Sequence, residues 1–395
     1  MRREWEEVTL GEIADLQTGP FGSQLKAEEY VQNGIPVVMP INIDLSGTIS
    51  INKIAHTAEE KASLLKKYKL KNGDIVFSRR GDLSKIGYIT NDQSGWLCGT
   101  GCLRARPKEN IVSCFLHLYL KQKNVANWLE YNSIGQTMKN INTDILSKLP
   151  IILPSYEEQK KIAESLSIWD SAIEKTEKLI ALEEKKLSAF AIKLFSGKSI
   201  FQTKNICLTD LLKEKSDLST GFEEVFSVSV HKGLVNQIEH LGRSFAAANT
   251  NNYNLVKYGY LVYTKSPTGD FPYGIVKQSS IKKDVIVSPL YGIYDPASNE
   301  IGLLVEFFFE SPIRCKNYLY PLIQKGAKNT ISISNQDFLK GKINFPANEK
   351  DIIRIADYIR LSKEYISLLN NQLKQYKLQK QGLMQKLLTG EWRIK

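Results

Sequence analysis

The stretch Leu149–Lys198 decides the fold, and it reads LPIILPSYEEQKKIAESLSIWDSAIEKTEKLIALEEKKLSAFAIKLFSGK. A second stretch, Gly341–Trp392, reads GKINFPANEKDIIRIADYIRLSKEYISLLNNQLKQYKLQKQGLMQKLLTGEW and follows the same plan. Each begins with an apolar residue and a proline, continues through a polar helix start and an Ile-Ala pair, and ends in a leucine-rich turn and a glycine. Pro154 and Pro346 lie 192 residues apart, and the Ile-Ala pairs lie 193 apart. The chain therefore contains an internal repeat of two copies.

Both stretches carry apolar residues at heptad spacing, in the same register. A narrow apolar seam of this kind is typical of a helix that pairs with another helix. Each helix would contain about 40 residues and extend roughly 60 Å. Thr176, Glu183, Ser362 and Lys380 interrupt the seam with polar side chains. The predicted seam residues are Ile162, Leu166, Trp169, Ile173, Ile180, Leu187, Leu194, Ile355, Ile359, Ile366, Leu369, Leu373, Leu383 and Leu387.

Two seams of equal length and register favour pairing of the two helices with each other. A pseudo-two-fold relation between the two halves of the chain would make that pairing antiparallel. The alternative is that each helix is an ordinary amphipathic helix packed on a separate core.

Each helix follows a lobe of its own, and the two lobes correspond at two places. Residues 71–79, KNGDIVFSR, resemble residues 257–265, KYGYLVYTK, and both indicate a turn followed by a β-strand. Residues 142–150, NTDILSKLP, resemble residues 335–343, NQDFLKGKI. We therefore predict an α+β protein with two globular lobes joined by two long helices. The predicted boundaries are 1–155 for the first lobe, 156–198 for the first helix, 199–347 for the second lobe, and 348–395 for the second helix and the C-terminal tail.

The composition predicts a cytoplasmic protein with an affinity for a polyanion. The 395 residues include 53 Lys and Arg against 42 Asp and Glu, a net charge of +11. An excess of this size favours nucleic acid as a partner, although solvated lysines of a generally basic proteome would also produce it. The 5 cysteines are scattered, which does not fit a disulfide framework. No apolar run reaches the about 18 residues of a membrane span, and the N-terminus has no apolar signal core.

The sequence contains little that predicts catalysis. It has no Asn-Pro-Pro-aromatic motif, no P-loop and no His-Glu-x-x-His, and Gly99-Thr100-Gly101 is too short for a cofactor loop. Cys98, Cys102, Cys114 and His117 have a spacing that zinc would tolerate. Their flanks are apolar and strand-like, so buried thiols are the favoured interpretation. We predict no catalytic residue, no cofactor and no metal.

An ordered series of motifs resembles the specificity subunit of type I restriction-modification systems along nearly the full length. The first lobe carries LGEIADLQTGPFGSQLK (Leu10–Lys26), then GIPVV (Gly34–Val38) and GDIVFSRRGDLSKIGYI (Gly73–Ile89). SIGQTMKNINTDILSKLPIILP (Ser133–Pro154) and the helix start EEQKKIA (Glu157–Ala163) follow. The late stretch QKLLTGEW resembles the end of the family's second helix.

The resemblance implies a division of labour. Each lobe would be a target recognition domain that reads one half of a split site in double-stranded DNA. The two helices would fix the gap between the half-sites and dock two DNA adenine methyltransferase (modification) subunits. Restriction and translocase subunits would join the full complex, and methylation and cleavage would belong to those partners.

Residues that contact DNA are expected on loops, because base edges accept Arg, Lys, Asn and Gln while phosphates also accept hydroxyls and backbone N–H groups. The second lobe lacks a TGPFGS stretch and has Lys265 where FSRRG has its first arginine. For Thr18–Lys26, an ordinary structural turn is at least as favoured as DNA contact. The predicted DNA-binding residues are Thr18, Ser23, Gln24, Lys26, Arg79, Arg80, Lys85, Gln136, Lys139, Asn140, Arg243, Asn251, Lys265, Ser266, Thr268 and Lys328.

Two other functions remain open at this stage. The chain could be a coiled-coil scaffold whose positive charge is incidental. It could also be a DNA-modifying enzyme, a nuclease or methyltransferase, with an unrecognised active site.

Overall fold

The chain is organised in two compact units. A computed structural model describes residues 5–135, 139–241, 250–325 and 331–394. Unit 1 contains residues 1–176 and 372–395, and unit 2 contains residues 177–371. Each unit therefore includes part of each of the two long helices. The lobe and helix boundaries drawn from the sequence stay predictions.

Unit 1 is built around an antiparallel sheet with the strand order β2-β9-β6-β7. A second sheet has the order β3-β5-β4-β8, in which β4 and β8 are parallel, and β1 pairs with β10. The elements are β1 (Glu6–Thr9), α1 (Leu10–Ile13), β2 (Ala14–Thr18), β3 (Tyr30–Val31), β4 (Ile35–Val38), β5 (Ala55–Thr57), α2 (Glu59–Leu64), β6 (Ile75–Ser78), β7 (Ile86–Tyr88), β8 (Leu97–Cys98), β9 (Cys102–Pro107), α3 (Ser113–Leu120), α4 (Lys123–Asn132), α5 (Thr143–Ser147), β10 (Pro150–Leu153) and α6 (Tyr156–Phe195).

Unit 2 repeats this arrangement with a central antiparallel sheet in the order β12-β19-β16-β17. A ribbon of β11 and β22 corresponds to the β1–β10 ribbon of unit 1. The elements are β11 (Thr203–Cys207), β12 (Leu212–Lys215), β13 (Phe226–Ser229), β14 (Gly233–Asn236), α7 (Gln237–Leu241), β15 (Asn254–Val256), β16 (Leu261–Tyr263), β17 (Val276–Gln278), β18 (Val285–Val287), β19 (Gly292–Pro296), α8 (Asn299–Phe309), α9 (Pro312–Leu319), β20 (Gln324–Lys325), β21 (Ile331–Ser332), α10 (Asn335–Lys340), β22 (Lys342–Pro346) and α11 (Glu349–Leu388).

The similarity of 71–79 to 257–265 has a structural cause. In unit 1 the strand β6 is buried on both faces, because Ile75 and Phe77 lie in the helix-covered core while Val76 lies in a second apolar cluster. Strand β16 of unit 2 has the same division. A strand buried on both sides requires a continuous apolar run rather than an alternating one.

A glycine in the left-handed region precedes each of these strands. Gly73 has φ +87° and Gly259 has φ +85°, which residues with a Cβ adopt only under strain. The Gly in both KNGDIVFSR and KYGYLVYTK is therefore a requirement of the turn.

Each unit packs a segment of α6 against an antiparallel segment of α11. In unit 1, Trp169 contacts Tyr376 edge-on at 5.7 Å between ring centroids, and earlier α6 residues share a core with later α11 residues. In unit 2, Phe190 contacts Tyr358 at 4.7 Å. The predicted antiparallel pairing of the helices is confirmed within each unit.

The seam residues fall on the buried side of these helices. Seven of them are buried: Ile162, Leu166, Ile180, Leu194, Ile355, Ile359 and Leu387. Leu369 is also buried, and the remaining residues are half-buried: Trp169, Ile173, Leu187, Ile366, Leu373 and Leu383.

Two polar interruptions of the seam in unit 1 have partners of their own. The buried Thr176 hydroxyl donates to the Ala172 carbonyl at 2.7 Å, within the helix. Lys380 forms an ion pair with Asp170. These contacts explain how the seam accommodates a hydroxyl and an ammonium group without leaving either unsatisfied.

No helix in the described ranges is both long and apolar enough to cross a membrane.

The seam makes a prediction about stability. Leu166 is fully buried and Ile168, two residues later on α6, is 69% exposed. We expect Leu166→Ala to lower the free energy of unfolding by roughly 2–4 kcal/mol, because the substitution removes buried methyl groups and leaves a cavity. Ile168→Ala should change it by less than about 0.5 kcal/mol. Urea unfolding of both variants checks this, and equal losses would contradict the assignment of the buried face.

His117 makes unit 1 sensitive to acid. The ring is buried, its Nε2–H donates to the Ile86 carbonyl at 3.1 Å, and the Tyr88 ring lies 5.4 Å away. Burial lowers the pKa of His117 to about 4. Lys121 and Lys380 lower this pKa further, while the hydrogen bond to Ile86 and the charge of Asp170 raise it. The unfolded chain, with an ordinary His pKa, therefore binds a proton at a pH where the folded chain does not.

We predict that stability falls between about pH 6.5 and pH 4 by roughly 3 kcal/mol from this residue alone. The contribution is fully present above pH 6.5 or so and is lost as the pH falls toward the folded-state pKa. Unfolding of the wild-type chain and of His117→Gln should be measured across this range. Carboxylates titrate in both proteins, so equal losses of stability in the two would show that His117 is not responsible.

Candidate nucleic-acid interface

The central sheet of unit 1 brings distant loops to one edge. Because the strands are antiparallel, the C-terminal ends of β2 and β6 lie beside the N-terminal ends of β9 and β7. Thr18 ends β2, Arg79 and Arg80 follow β6, and Lys85 precedes β7. Thr18 and three residues of the distant β6–β7 loop, all predicted to bind DNA, therefore lie at one end of the sheet. We call this end the strand-end surface.

The segment Gly99–Cys102 joins these loops through its backbone. The Gly19 N–H donates to the Cys102 carbonyl at 2.9 Å, and the Arg79 N–H donates to the Gly101 carbonyl at 2.8 Å. A Cβ on Gly19 would lie 2.0 Å from the Gly99 carbonyl oxygen, so only glycine fits. The sequence reading considered Gly99-Thr100-Gly101 only as a cofactor loop and missed this role. The sequence signal for this role is the pair Gly99 and Gly101, which stand on either side of one residue directly before strand β9.

A second loop completes the strand-end surface. The Arg79 Nε–H donates to the Asn140 Oδ1 at 3.3 Å. The Ile141 N–H donates to the Arg79 carbonyl at 3.0 Å, and the Gly81 N–H donates to the Lys139 carbonyl at 3.1 Å. The structure thus brings Arg79, Arg80, Lys139 and Asn140 together across 61 residues of sequence.

The side chains of the strand-end surface differ in exposure. Arg79, Lys85, Lys139 and Asn140 are half-buried, and Arg80 is exposed. Lys139 forms an ion pair with Glu130. The Ser78 hydroxyl donates to the Arg80 carbonyl at 2.9 Å, which fixes the backbone beneath the exposed arginine.

The turn after Thr18 is a structured one. The Gln24 Oε1 accepts from the Tyr68 hydroxyl at 2.7 Å and from the Phe21 N–H at 3.3 Å. The predicted DNA-contacting amide of Gln24 therefore holds the turn with its oxygen. Ser23 and Lys26 are exposed on either side of it, and Phe21, absent from the prediction, is 58% exposed.

Unit 2 has a lysine at the corresponding strand end. Lys265 follows β16 as Arg79 follows β6, and it is half-buried. Burial lowers its pKa, while Glu214 raises it. Ser266 and Thr268 are exposed next to it, on a turn closed by reciprocal backbone hydrogen bonds of 3.0 Å between Thr268 and Phe271.

Four predicted residues remain, and the structure describes one of them. Asn251 is exposed on a separate turn ahead of β15. Gln136, Arg243 and Lys328 lie outside the described residues.

The cysteines of unit 1 have the surroundings of core thiols. Cys98 and Cys102 are fully buried, and burial raises the pKa of Cys98 to about 12. Burial disfavours the charged thiolate, so this thiol is neutral in the folded chain. Over the part of the chain that the structure describes, no group of 3 or more His, Cys, Asp or Glu side chains could hold a metal ion.

Comparison with known proteins connects this arrangement to one family. Residues 2–184 match the family model described as type I restriction modification DNA specificity domain. Over 99% of its length, the chain is 26% identical to a putative type I restriction enzyme MjaX specificity subunit of Methanocaldococcus jannaschii, covering 94% of that protein. The MjaIX specificity subunit of the same organism is 29% identical over 49% of this chain and 44% of that protein.

A solved structure has the same fold along the whole chain. The S subunit of the type I restriction-modification system from M. genitalium superposes with a TM-score of 0.58 at 16% identity, covering 97% of this chain and 96% of that one. At this identity the likeness concerns the fold alone. The chain is thus similar over nearly its whole length to type I restriction-modification specificity subunits, and its first half matches the DNA specificity domain of that family.

Proposed function

We propose that each lobe reads one half of an asymmetric, two-part site in double-stranded DNA. The observation that carries the proposal is the strand-end surface of unit 1. There, Arg79, Arg80, Lys85, Lys139 and Asn140 converge although they come from two separate loops. Arginine, lysine and asparagine are the side chains that recognise base edges and phosphates.

The strand ends suit this task because the loop backbones are fixed by hydrogen bonds while the exposed side chains on them differ between the two units. The β6–β7 loop is hydrogen-bonded through its backbone to the Gly99–Cys102 segment, and the loop that carries Lys139 and Asn140 is hydrogen-bonded to the β6–β7 loop. In unit 2, Lys265, Ser266 and Thr268 at the equivalent end are our candidates for contact with the second half-site. Different side chains on the same frame would read different bases.

The helices are proposed as the spacer between the half-sites. Two readers on one duplex must match its helical phase, so a rigid spacer makes the gap part of the specificity. The same helices would dock two adenine methyltransferase subunits, and restriction and translocase subunits would join them. The chain itself would be a non-catalytic cytoplasmic subunit without cofactor or metal, with the chemistry in its partners.

The two alternatives can be separated from this proposal experimentally. A DNA-modifying enzyme would show turnover as a purified chain given magnesium or a methyl donor. A scaffold would fail to bind duplex DNA even when methyltransferase subunits are bound.

The first prediction of the proposal concerns the methylome. Cells that express the chain with a cognate DNA adenine methyltransferase subunit should carry adenine methylation at an asymmetric two-part motif, readable by methylome sequencing. Cells that express the methyltransferase alone are the control. Absence of a motif, although both proteins are soluble and associated, would contradict the reading function and favour the scaffold.

The second prediction concerns the gap. Insertion of seven residues after Thr176 and seven after Asn371 keeps the heptad register and lengthens each helix by about 10 Å. Both half-sites should stay the same while the gap grows by about three base pairs, since the rise of DNA is about 3.4 Å per pair. An unchanged gap in the methylome would contradict the spacer role.

Insertion of three residues at the same two places provides the matched control. It shifts the apolar positions out of the heptad register, so the helices should lose stability. A lower unfolding midpoint with loss of methylation is the expected result.

A further inference from the structure

The side chain of Arg79 makes one hydrogen bond within the described residues. Asn140 accepts from its Nε–H at 3.3 Å, and because a guanidinium only donates, the amide oxygen must face the arginine. The Asn140 backbone is itself fixed, since its N–H and carbonyl exchange hydrogen bonds of 2.9 Å with Ile134. Asn140 is therefore a rigid anchor for a half-buried arginine.

The anchor leaves one edge of the guanidinium available. Only Nε is engaged, and among the described residues the structure gives no hydrogen-bond partner to the two terminal nitrogens of Arg79. The two terminal nitrogens can donate two parallel N–H hydrogen bonds from the end of the side chain, to two acceptors that lie next to each other. The adjacent acceptors O6 and N7 of guanine in the major groove have this geometry.

Arg80 has the opposite character. Its backbone is fixed by Ser78, but its side chain is exposed and has no hydrogen-bond partner among the described residues. A long side chain that is free to move can follow a phosphate but has no fixed orientation toward a base edge. Consecutive arginines on one loop are thus prepared for different tasks.

We infer that Arg79 determines specificity by reading a guanine of the first lobe's half-site, that Asn140 is its positioning residue, and that Arg80 binds a phosphate. This inference rests on the proposed function. It assigns one base of the motif to one side chain, and it separates base reading from backbone binding within a single loop.

The experiment uses the complex of the chain with its methyltransferase. Methylomes are determined for wild type, Arg79→Lys, Asn140→Ala, Asn140→Asp and Arg80→Gln. Affinity is then measured by fluorescence anisotropy at several salt concentrations, with a duplex that carries the wild-type motif and with duplexes changed at single positions.

Arg79→Lys and Asn140→Ala should relax the motif at the same single guanine and leave the other half-site unchanged. Discrimination at that position should fall by roughly 5- to 150-fold, the range for one bidentate base contact. Asn140→Asp keeps an acceptor oxygen for Arg79, so this variant should methylate the same motif as wild type, unlike Asn140→Ala. Rescue by the aspartate would not follow from a merely structural role of the amide.

Arg80→Gln should weaken binding equally for all duplexes and reduce the slope of log affinity against log salt by about one. Lys71→Gln is the matched control, because Lys71 is exposed and precedes β6 at the end away from Arg79, so its loss should leave the motif and the salt slope unchanged.

The outcomes are distinguishable. If wild type produces no two-part motif, the proposed function fails. If wild type produces one but Asn140→Ala keeps full discrimination, or Arg80→Gln relaxes the same position as Arg79→Lys, this inference fails while the proposed function stands. Arg79→Lys keeps the positive charge and Asn140→Asp keeps the size and the acceptor oxygen, so both should fold and either result can be obtained even if the alanine variant is unstable.

Discussion

Unit 1 depends on one constraint, which is that its core is closed by the far end of the chain. Leu387 and Leu388 of α11 belong to the core that Leu10 and Ile162 also form. Beside them, Arg393 donates from Nε and Nη2 to the Glu158 carboxylate at 2.6 and 2.7 Å, and Glu158 is only 7% exposed. A buried carboxylate without its partner is strongly destabilising. The first lobe therefore completes its packing only after the last residues of the chain are available, which is a contact of very high sequence separation.

The long helices were predictable from the sequence because their burial is periodic. Residues spaced three or four apart lie on the same face of a helix, so a helix that buries one narrow face has apolar residues at heptad spacing. The strands β6 and β16 were predictable for a similar reason, since burial on both faces requires a continuous apolar run after a glycine turn. The strand-end surface was predictable only in part. The hydrogen bond from Arg79 to Asn140 joins residues 61 apart, and such a contact leaves no periodic signal in a single sequence.

The two units keep the same frame with different polar interiors. In unit 1 the buried Asp74 accepts from Arg106 Nε and Nη2 at 2.7 Å each, next to strand β6. At the corresponding position before β16, unit 2 has Tyr260, and its core instead stacks Phe338 between Tyr263 and Tyr294 at 4.6 and 4.9 Å. An ion pair and an aromatic stack can support the same sheet because each satisfies its own buried groups. The frame therefore constrains shape and burial, and it leaves the chemistry at the strand ends free to differ.

Because the side chains at the strand ends can differ while the sheet stays the same, a fixed backbone and different side chains can occur together. A side chain discriminates between bases only if its donors keep their direction, because a freely rotating donor can find an acceptor on many bases. The Gly99–Cys102 segment and Asn140 restrict the loop and the guanidinium of Arg79 in the chain by itself, and in the proposed reading function they would do so before DNA binds. The conformational entropy of that side chain is then lost during folding rather than during binding, so less of the interaction energy with DNA is offset by ordering. Replacing the anchored side chain would change the base that is read, whereas loosening its anchor would remove the discrimination and leave the affinity for phosphates.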